Sequence, residues 1–301
     1  MGYSGRYHAA SLAAVFLALA IGILIGVGFG SDVVSGTADD LEQSLGSDLD
    51  QAQERIGELE ADLDREAEFG QLAYPGLVND RLRGREIAVV AFGDLDDASA
   101  ADVRSALQPS GATVSEIAVV REPPEADAAI DAVRDLSRRP ITRDEALEIV
   151  GRRAGRLLVS GGAAFADLRG ALFSRYSGEP GDVDGVVILR TRSDELPERE
   201  AERTDLLENA LVAGMADVSD RLPLVGAERS DADPSSIEFF DSHTDASVDN
   251  TDQLSGKVSL VYALGCAEGN FGVKETADAL MPDLLVDADL ACGLVGAARG
   301  R

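Results

Sequence analysis

Residues 86–92 read EIAVVAF, a continuous apolar run behind a single glutamate. Short runs of this kind are typical of strands that are buried on both faces of a parallel sheet. Comparable runs predict strands at residues 87–92, 114–120, 156–160, 186–189, 222–225 and 258–264. Helical patterns lie between them, at residues 98–107, 126–138, 143–154, 163–174 and 199–213. Strands that alternate with helices predict an α/β fold, with an open, mostly parallel sheet covered by helices on both faces.

The composition supports a folded body, and the net charge limits its partners. Hydrophobic residues make up 45% of the chain and charged residues 27%, so the chain can bury a core. The formal net charge of -28 opposes encounter with other polyanions. We therefore expect no nucleic-acid partner.

A segment of another class precedes this body. Residues 9–29 are apolar or small apart from Ser11. A helix of that length, at about 1.5 Å per residue, covers the roughly 30 Å hydrocarbon core of a bilayer. A membrane anchor is therefore predicted, and a cleaved signal peptide, whose apolar run is usually about 7 to 15 residues, is the alternative. The predicted anchor residues are Ala9, Leu12, Val15, Phe16, Leu19, Ile23 and Phe29.

The charges beside this segment predict its orientation. Arg6 and His8 precede it, and only acidic residues follow it closely. By the positive-inside rule, the chain crosses the cell membrane once, with its N-terminus in the cytoplasm and its body outside. Gly22, Gly26 and Gly30 recur every four residues, a spacing that allows two such helices to approach closely in lipid.

An apolar stripe follows the predicted anchor. Its members recur at alternating steps of four and three residues, which places them on one seam of a helix. The seam consists of Leu45, Leu49, Ala52, Ile56, Leu59 and Leu63. A second copy of the chain would bury this seam, so we predict an acidic coiled-coil stalk and a homodimer formed through stalk and anchor. The alternative is that the stripe packs on the globular domain of its own chain.

Three parts of the chain are thus predicted. Residues 1–30 form the cytoplasmic N-terminus and the anchor, residues 31–73 the stalk, and residues 74–301 an extracytoplasmic α/β domain. Tyr74, Pro75 and Gly76 are predicted to end the stalk helix, because proline and glycine disfavour helix interiors.

Polar residues at the predicted strand ends are the first candidates for a ligand site, because ligands of such sheets bind at the carboxyl ends of the strands. Asp94, Asp96 and Asp97 follow the first strand, and the sequence Ser-Gly-Gly at residues 160–162 follows the third. Capping of the next helix is favoured for the aspartates. A turn is favoured for residues 160–162, which lack the lysine of a phosphate-binding loop. A ligand-binding or hydrolytic head at these strand ends is a weaker alternative.

The sequence contains no recognisable catalytic set, and no enzyme is predicted. The body has a single histidine, His243, and no nucleophile elbow or zinc-protease spacing. Asp241, His243 and Cys266 are the candidate metal ligands, with a solvated acidic loop as the alternative for the first two. Cys266 and Cys292 either form one disulfide outside the cytoplasm or are buried as separate small side chains.

Residues 6–20, RYHAASLAAVFLALA, resemble the opening of the actinobacterial family that is named for mycobacterial copper transport protein B. The resemblance continues in outline through a glycine-bearing exit from the apolar span at residues 26–30, a short coiled coil and a body that begins near residue 82. Near the C-terminus the family's closing motif is similar to Gly269, Phe271, Gly272, Ala277, Leu280 and Pro282.

This resemblance implies a role in copper homeostasis or efflux, with channel formation and an outer-envelope location ascribed to the family. It also implies the alternative of a non-enzymatic, dimeric coiled-coil scaffold that binds a cell-separation or peptidoglycan-remodelling partner in the envelope. One helix cannot line a pore by itself, so a channel would need oligomerised anchors. Copper as a ligand of this chain is implied by the family alone, because the Met, Cys and His residues form no cluster in the sequence.

Overall fold

A computed structural model of the protein describes residues 5–134, 140–193 and 196–284, with side chains described from residue 8 onward except those of residues 28–43. Two compact units divide the chain, residues 1–69 and residues 70–301. The elements are α1 (Gly5–Val78), β1 (Glu86–Gly93), α2 (Asp97–Leu107), a 3-10 turn (Gln108–Ser110), β2 (Thr113–Val120), α3 (Ala126–Val133), α4 (Arg143–Ser160), α5 (Phe165–Leu172), β3 (Phe173–Gly178), β4 (Gly185–Thr191), α6 (Glu198–Ala216), β5 (Leu224–Ala227), α7 (Ile237–His243), β6 (Ala246–Val248), α8 (Leu254–Leu264) and β7 (Gly269–Phe271).

The first unit consists of α1, which continues into the second unit. Every described side chain of the first unit, at residues 8–27 and 44–69, is exposed. The apolar residues among these described side chains therefore gain no burial within the unit. The division of the chain into anchor, stalk and extracytoplasmic domain stays a prediction.

The second unit is built on a sheet of seven strands in the order β3-β2-β1-β4-β5-β6-β7. All neighbours are parallel except β2 and β3, which pair antiparallel. In β1, every residue from Ile87 to Phe92 is buried. The prediction of an α/β fold with an open, mostly parallel sheet is confirmed.

Helices cover both faces of the sheet. Ala88, Val90 and Phe92 belong to a core formed with α3 to α7, and Ile87 and Val89 belong to a second core formed with α2, α8 and the end of α1. Successive side chains of a strand point to opposite faces, so a strand covered on both sides must be apolar throughout. The run at residues 86–92 meets this requirement.

The helix α1 ends later than the sequence predicted. Pro75 lies inside it, and the helix extends to Val78. Tyr74 and Val78 are buried in the second core, and the Tyr74 hydroxyl donates a hydrogen bond to the carbonyl of Ala106 at 2.7 Å. These contacts offset the cost of a proline in the helix.

Two predicted strands are helices, and both errors have a physical reason. Residues 156–160 form the end of α4, which begins after a capping box between Thr142 and Glu145 and ends at Ser160, with Gly161 as its C-cap. Residues 258–264 lie in α8, where all seven side chains are buried. A short helix that is apolar on every side lacks the periodicity that separates it from a buried strand.

Short or polar elements account for the remaining differences. The strands β6 and β7 have three residues each, and β3 has the polar sequence FSRYSG. The helix predicted at residues 163–174 therefore ends at Leu172, where β3 follows. Of the helix predicted at residues 126–138, α3 covers Ala126–Val133, and residues 135–138 lie outside the described part.

Candidate functional site

One helical segment of the described chain, His8–Val27, is long and apolar enough to cross a membrane by its length and composition. None of this 20-residue segment is buried. It contains the predicted anchor residues Ala9, Leu12, Val15, Phe16, Leu19 and Ile23, all with exposed side chains. Phe29 lies in α1, and its side chain is outside the described ones. The backbone of this segment is already hydrogen-bonded as a helix, which is the state that lipid requires.

The predicted seam lies farther along the same helix. Its large side chains are exposed by more than half, from 54% at Ile56 to 67% at Leu63, with Leu45, Leu49 and Leu59 between these values. Ala52 is exposed as well. The first unit offers these side chains no partner among its described residues, so their burial is left to contacts outside that unit.

A cleft opens at the carboxyl edge of the sheet in the second unit. β2 and β4 flank β1 on opposite sides, so the connections after β1 and β4 leave the sheet in different directions. Ligands of open α/β sheets bind at this kind of switch point. A cavity of about 320 Å³ lies here, lined by the segments that follow β1, β4 and β5, among them Asp94, Asp96, Arg190, Arg192, Glu228 and Arg229.

Arginines at the end of β4 are held by carboxylates of α6. Arg190 is 9% exposed and binds Glu208 at 2.8 Å and Asp205 at 3.0 Å. Arg192 also binds Asp205, at 3.1 Å. Burial raises the pKa of Glu208 to about 7, against the opposing effect of Arg190. These arginines are therefore already paired, and they offer little free positive charge to an anionic ligand.

A second ionic group lies under the end of β5. The Glu228 side chain is 4% exposed and accepts hydrogen bonds from the Ser235 hydroxyl and the Ser236 amide, both at 2.6 Å. The ammonium group of Lys274 also donates to Glu228. Asp249 accepts from the Lys274 amide at 2.9 Å and so fixes the loop after β7. The charged groups of this network are thus paired with other groups of the chain at the carboxyl edge of the sheet.

The sequence located only part of this cleft. Asp96 caps α2 and accepts from the Ser99 amide at 2.8 Å, so the predicted capping role is confirmed for Asp96. Residues 160–162 lie at the end of α4 and not after a strand, because the strand predicted there is a helix. Glu228 and Lys274 were missed. A strand was predicted just before Glu228, but β7 was not recognised, so nothing pointed to Lys274.

Comparison with known proteins decides which family the chain represents. The family profile described as "Copper transport outer membrane protein, MctB" matches residues 3–282, which is nearly the whole chain. The chain belongs to this family. It is also 30% identical over 158 residues to the proteins called "Copper transporter MctB" of Mycobacterium bovis and Mycobacterium tuberculosis. That match covers 51% of the chain and 50% of each relative, so the chain spans about half the length of the curated relatives it matches.

The structure does not bring together the three metal ligands that were predicted from the sequence. Asp241 accepts a hydrogen bond from the Asn270 side chain at 3.0 Å, and His243 ends α7, with Nδ1 2.8 Å from the Phe239 carbonyl and its ring stacked on Phe239. Cys266 is disulfide-bonded and therefore presents no thiolate, whereas Cys292 lies outside the described residues. Among the described residues, no three His, Cys, Asp or Glu side chains are grouped so that they could hold a metal ion.

Proposed function

We propose that this chain is a single-pass membrane protein of the cell envelope that takes part in copper transport or copper homeostasis. The observation that carries the proposal is the exposed apolar segment His8–Val27 in a chain that matches the copper transport family from residue 3 to residue 282. The named relatives are copper transporters, and copper is accordingly proposed as cargo and not as a resident cofactor. No enzymatic activity is part of the proposal.

The proposed orientation places the N-terminus in the cytoplasm and the second unit outside. Arg6 precedes the apolar segment, which begins at His8, and Asp32, Asp39 and Asp40 follow it. Alkaline phosphatase fused after residue 301 tests this, since it is active only outside the cytoplasm. We expect high activity. An inactive fusion to a stable, membrane-associated chain would contradict the orientation.

A channel would require several copies of the chain. One helix cannot enclose a water-filled path, so conduction needs anchors that assemble around a common axis. We propose that assembly occurs through the anchor and the seam, which are the exposed apolar surfaces of the first unit. Reproducible conductance of the full-length protein in planar bilayers would support this route. If bilayers that contain many copies of the protein show no conductance, the proposal is reduced to copper homeostasis without a pore.

The seam also favours a second candidate function. Six small or apolar residues on one helix face, five of them more than half exposed, suit a dimeric coiled-coil scaffold that binds an envelope partner, such as one that separates cells or remodels peptidoglycan. A strain that lacks the gene distinguishes the two functions. Altered copper sensitivity with normal cell separation supports copper homeostasis. Unchanged copper content and sensitivity, with chained cells, would overturn it in favour of the scaffold.

The strain that lacks the gene also tests the anchor, by complementation with a variant and a matched control. Complementation with Leu19→Arg together with Ile23→Arg should fail, because charges near the bilayer centre prevent stable insertion. Ile23→Leu should complement fully. Equal complementation by both variants would mean that the apolar segment is not needed for the function.

A further inference from the structure

The strand β3 is the antiparallel edge of the sheet and pairs with β2 alone. Glu116 of β2 lies opposite Gly178, the last residue of β3, and Ala118 lies opposite Tyr176. Gly178 has φ of 101°, and a Cβ there would lie 2.1 Å from the Ser115 carbonyl oxygen. Glycine at this position therefore lets the end of β3 approach β2 closely. The pair Glu116 and Tyr176 lies beside this close approach.

Glu116 is 1% exposed although it carries a carboxyl group. Its Oε2 accepts a hydrogen bond from the Tyr176 hydroxyl, and its Oε1 has no hydrogen-bond partner among the described residues. A buried carboxylate with an unpartnered oxygen is far more costly than a buried neutral carboxylic acid. The environment of Glu116 therefore favours the protonated form.

The surroundings of the pair contain little compensating charge. Tyr176 packs against the rings of Phe165 and Phe173, with centroids at 5.1 Å and 6.1 Å. Arg169 of α5 is 5.0 Å from the Tyr176 ring, and Glu179 follows β3. Burial and then Glu116 raise the pKa of Tyr176, whereas Arg169 acts to lower it and Glu179 to raise it by less. The pKa of Glu116 responds first to burial, which raises it, and then to the Tyr176 hydrogen bond, which lowers it. Burial raises the pKa of Glu116 to about 7.

We propose that Glu116 and Tyr176 form a pH-sensitive latch that holds the edge strand β3 on the sheet. With Glu116 protonated, β3 stays docked on β2. Loss of the proton leaves a buried anion with one unpartnered oxygen, and β3 loosens from the rest of the sheet. Opening would expose the edge of β2 and the aromatic cluster around Tyr176.

The direction of the effect follows from proton linkage. In the open form Glu116 is in water and titrates near the usual value of 4.5, whereas in the docked form it titrates at about 7. Between these values the docked form binds more protons, so rising pH favours opening by up to about tenfold per pH unit. Above about pH 7 the effect levels off, because both forms are then ionised.

Hydrogen exchange of the full-length chain in detergent tests the latch. We expect that, after correction for the intrinsic exchange rate, the protection of the β3 amides falls at least about tenfold from about pH 5 to about pH 8, while the β1 amides change much less. Glu116→Gln, a neutral isostere, should remove the difference. Glu148→Gln, at an exposed position of α4, is the matched control and should keep it.

Tyr176→Phe provides a second variant that does not depend on the first. Without its hydrogen-bond donor the ionised form of Glu116 is still less stable, so the pH-dependent loss of protection should extend to higher pH. A pH dependence that persists in Glu116→Gln would overturn the latch. So would β3 and β1 amides that lose protection in parallel, or β3 protection that does not change with pH.

Discussion

Leu59 in the first unit and Leu211 in the second are both leucines on one apolar face of a helix, yet their surroundings are opposite. Leu59 is 57% exposed, and Leu211 of α6 is fully buried in the core on one face of the sheet. The spacing of apolar residues thus predicts that a face will be buried, but it does not tell which molecule buries it. For Leu211 the partner is the same chain. For Leu59 and its neighbours on the seam, the described residues of the first unit offer no partner.

The two units therefore satisfy their apolar surface differently. The second unit closes a core on each face of its sheet. The first exposes two apolar surfaces, the segment His8–Val27 and the seam. Burial of apolar surface is worth about 0.8 kcal/mol per methylene, so both surfaces gain from a partner, which we propose to be lipid for the segment and a second copy for the seam.

The largest effect is expected from charges on the seam. Leu49→Asp, Ile56→Asp and Leu59→Asp together should dissociate the proposed dimer completely, because they place like charges against each other at the buried positions. Sedimentation of the solubilised full-length chain measures this. Gln53→Asp with Ala61→Asp adds charge off the seam and should leave the dimer intact. Equal association of all three proteins would show that the seam is not the interface.

The second-largest effect is expected from the truncation of a core side chain in the second unit. Leu211→Ala should lower the free energy of unfolding of the second unit by about 2 to 5 kcal/mol, because it removes buried methylenes and leaves a cavity. Urea unfolding followed by circular dichroism measures the change. Leu59→Ala, the same substitution on the seam, should leave this transition within about 0.5 kcal/mol. Similar losses in both variants would mean that Leu59 packs on the second unit.

Two glycines, one in each unit, also differ in the space around them. A Cβ at Gly155 of α4 would lie 2.1 Å from the Leu211 carbonyl oxygen, whereas a Cβ at Gly57 meets nothing within 4 Å. Gly155→Ala should therefore destabilise the second unit by about 1 to 3 kcal/mol through overpacking. Gly57→Ala should stabilise α1 by up to about 1 kcal/mol, through helix propensity alone. Thermal unfolding tests both, and a neutral Gly155→Ala would contradict the close contact of α4 and α6.

The smallest effect concerns the cap of α2. Asp96→Ala should cost about 1 kcal/mol near neutral pH, because the Ser99 amide loses its acceptor. Burial acts to raise the pKa of Asp96, but the hydrogen bonds from Ser99 outweigh it and lower the pKa overall. The contribution is therefore present above the usual carboxyl pKa and is lost as the pH falls through the lowered value. In urea unfolding, variant and wild type should converge in acid, and a difference that persists there would contradict the cap.

The sequence predicted the elements that have an apolar run or a helical period within their own residues. Strands β1 and β4 contain continuous apolar runs, β2 ends in one at residues 117–120, and α6 has a clear helical period, so these were found. The helix α8 was mistaken for a strand because all of its predicted segment is buried. β6 and β7 are too short to produce a pattern of their own, and each is a strand because it pairs with a neighbouring strand.

The candidate site was predictable to a smaller extent. Asp96 was recognised because capping is local. The pair of Glu228 and Lys274 joins two loops 46 residues apart, which no local pattern reveals. Glu116 was missed because a glutamate in a strand usually faces water, and its hydrogen-bond partner Tyr176 lies 60 residues farther along the chain.

The central claim, that a second copy of the chain buries the exposed seam of the first unit, is tested most directly by the mass of the full-length protein in detergent. Light scattering with correction for bound detergent gives that mass without any variant. We expect a particle with twice the 31.5 kDa of one chain or a larger whole-number multiple. A monomer at all protein concentrations, with α1 still fully helical, would contradict it.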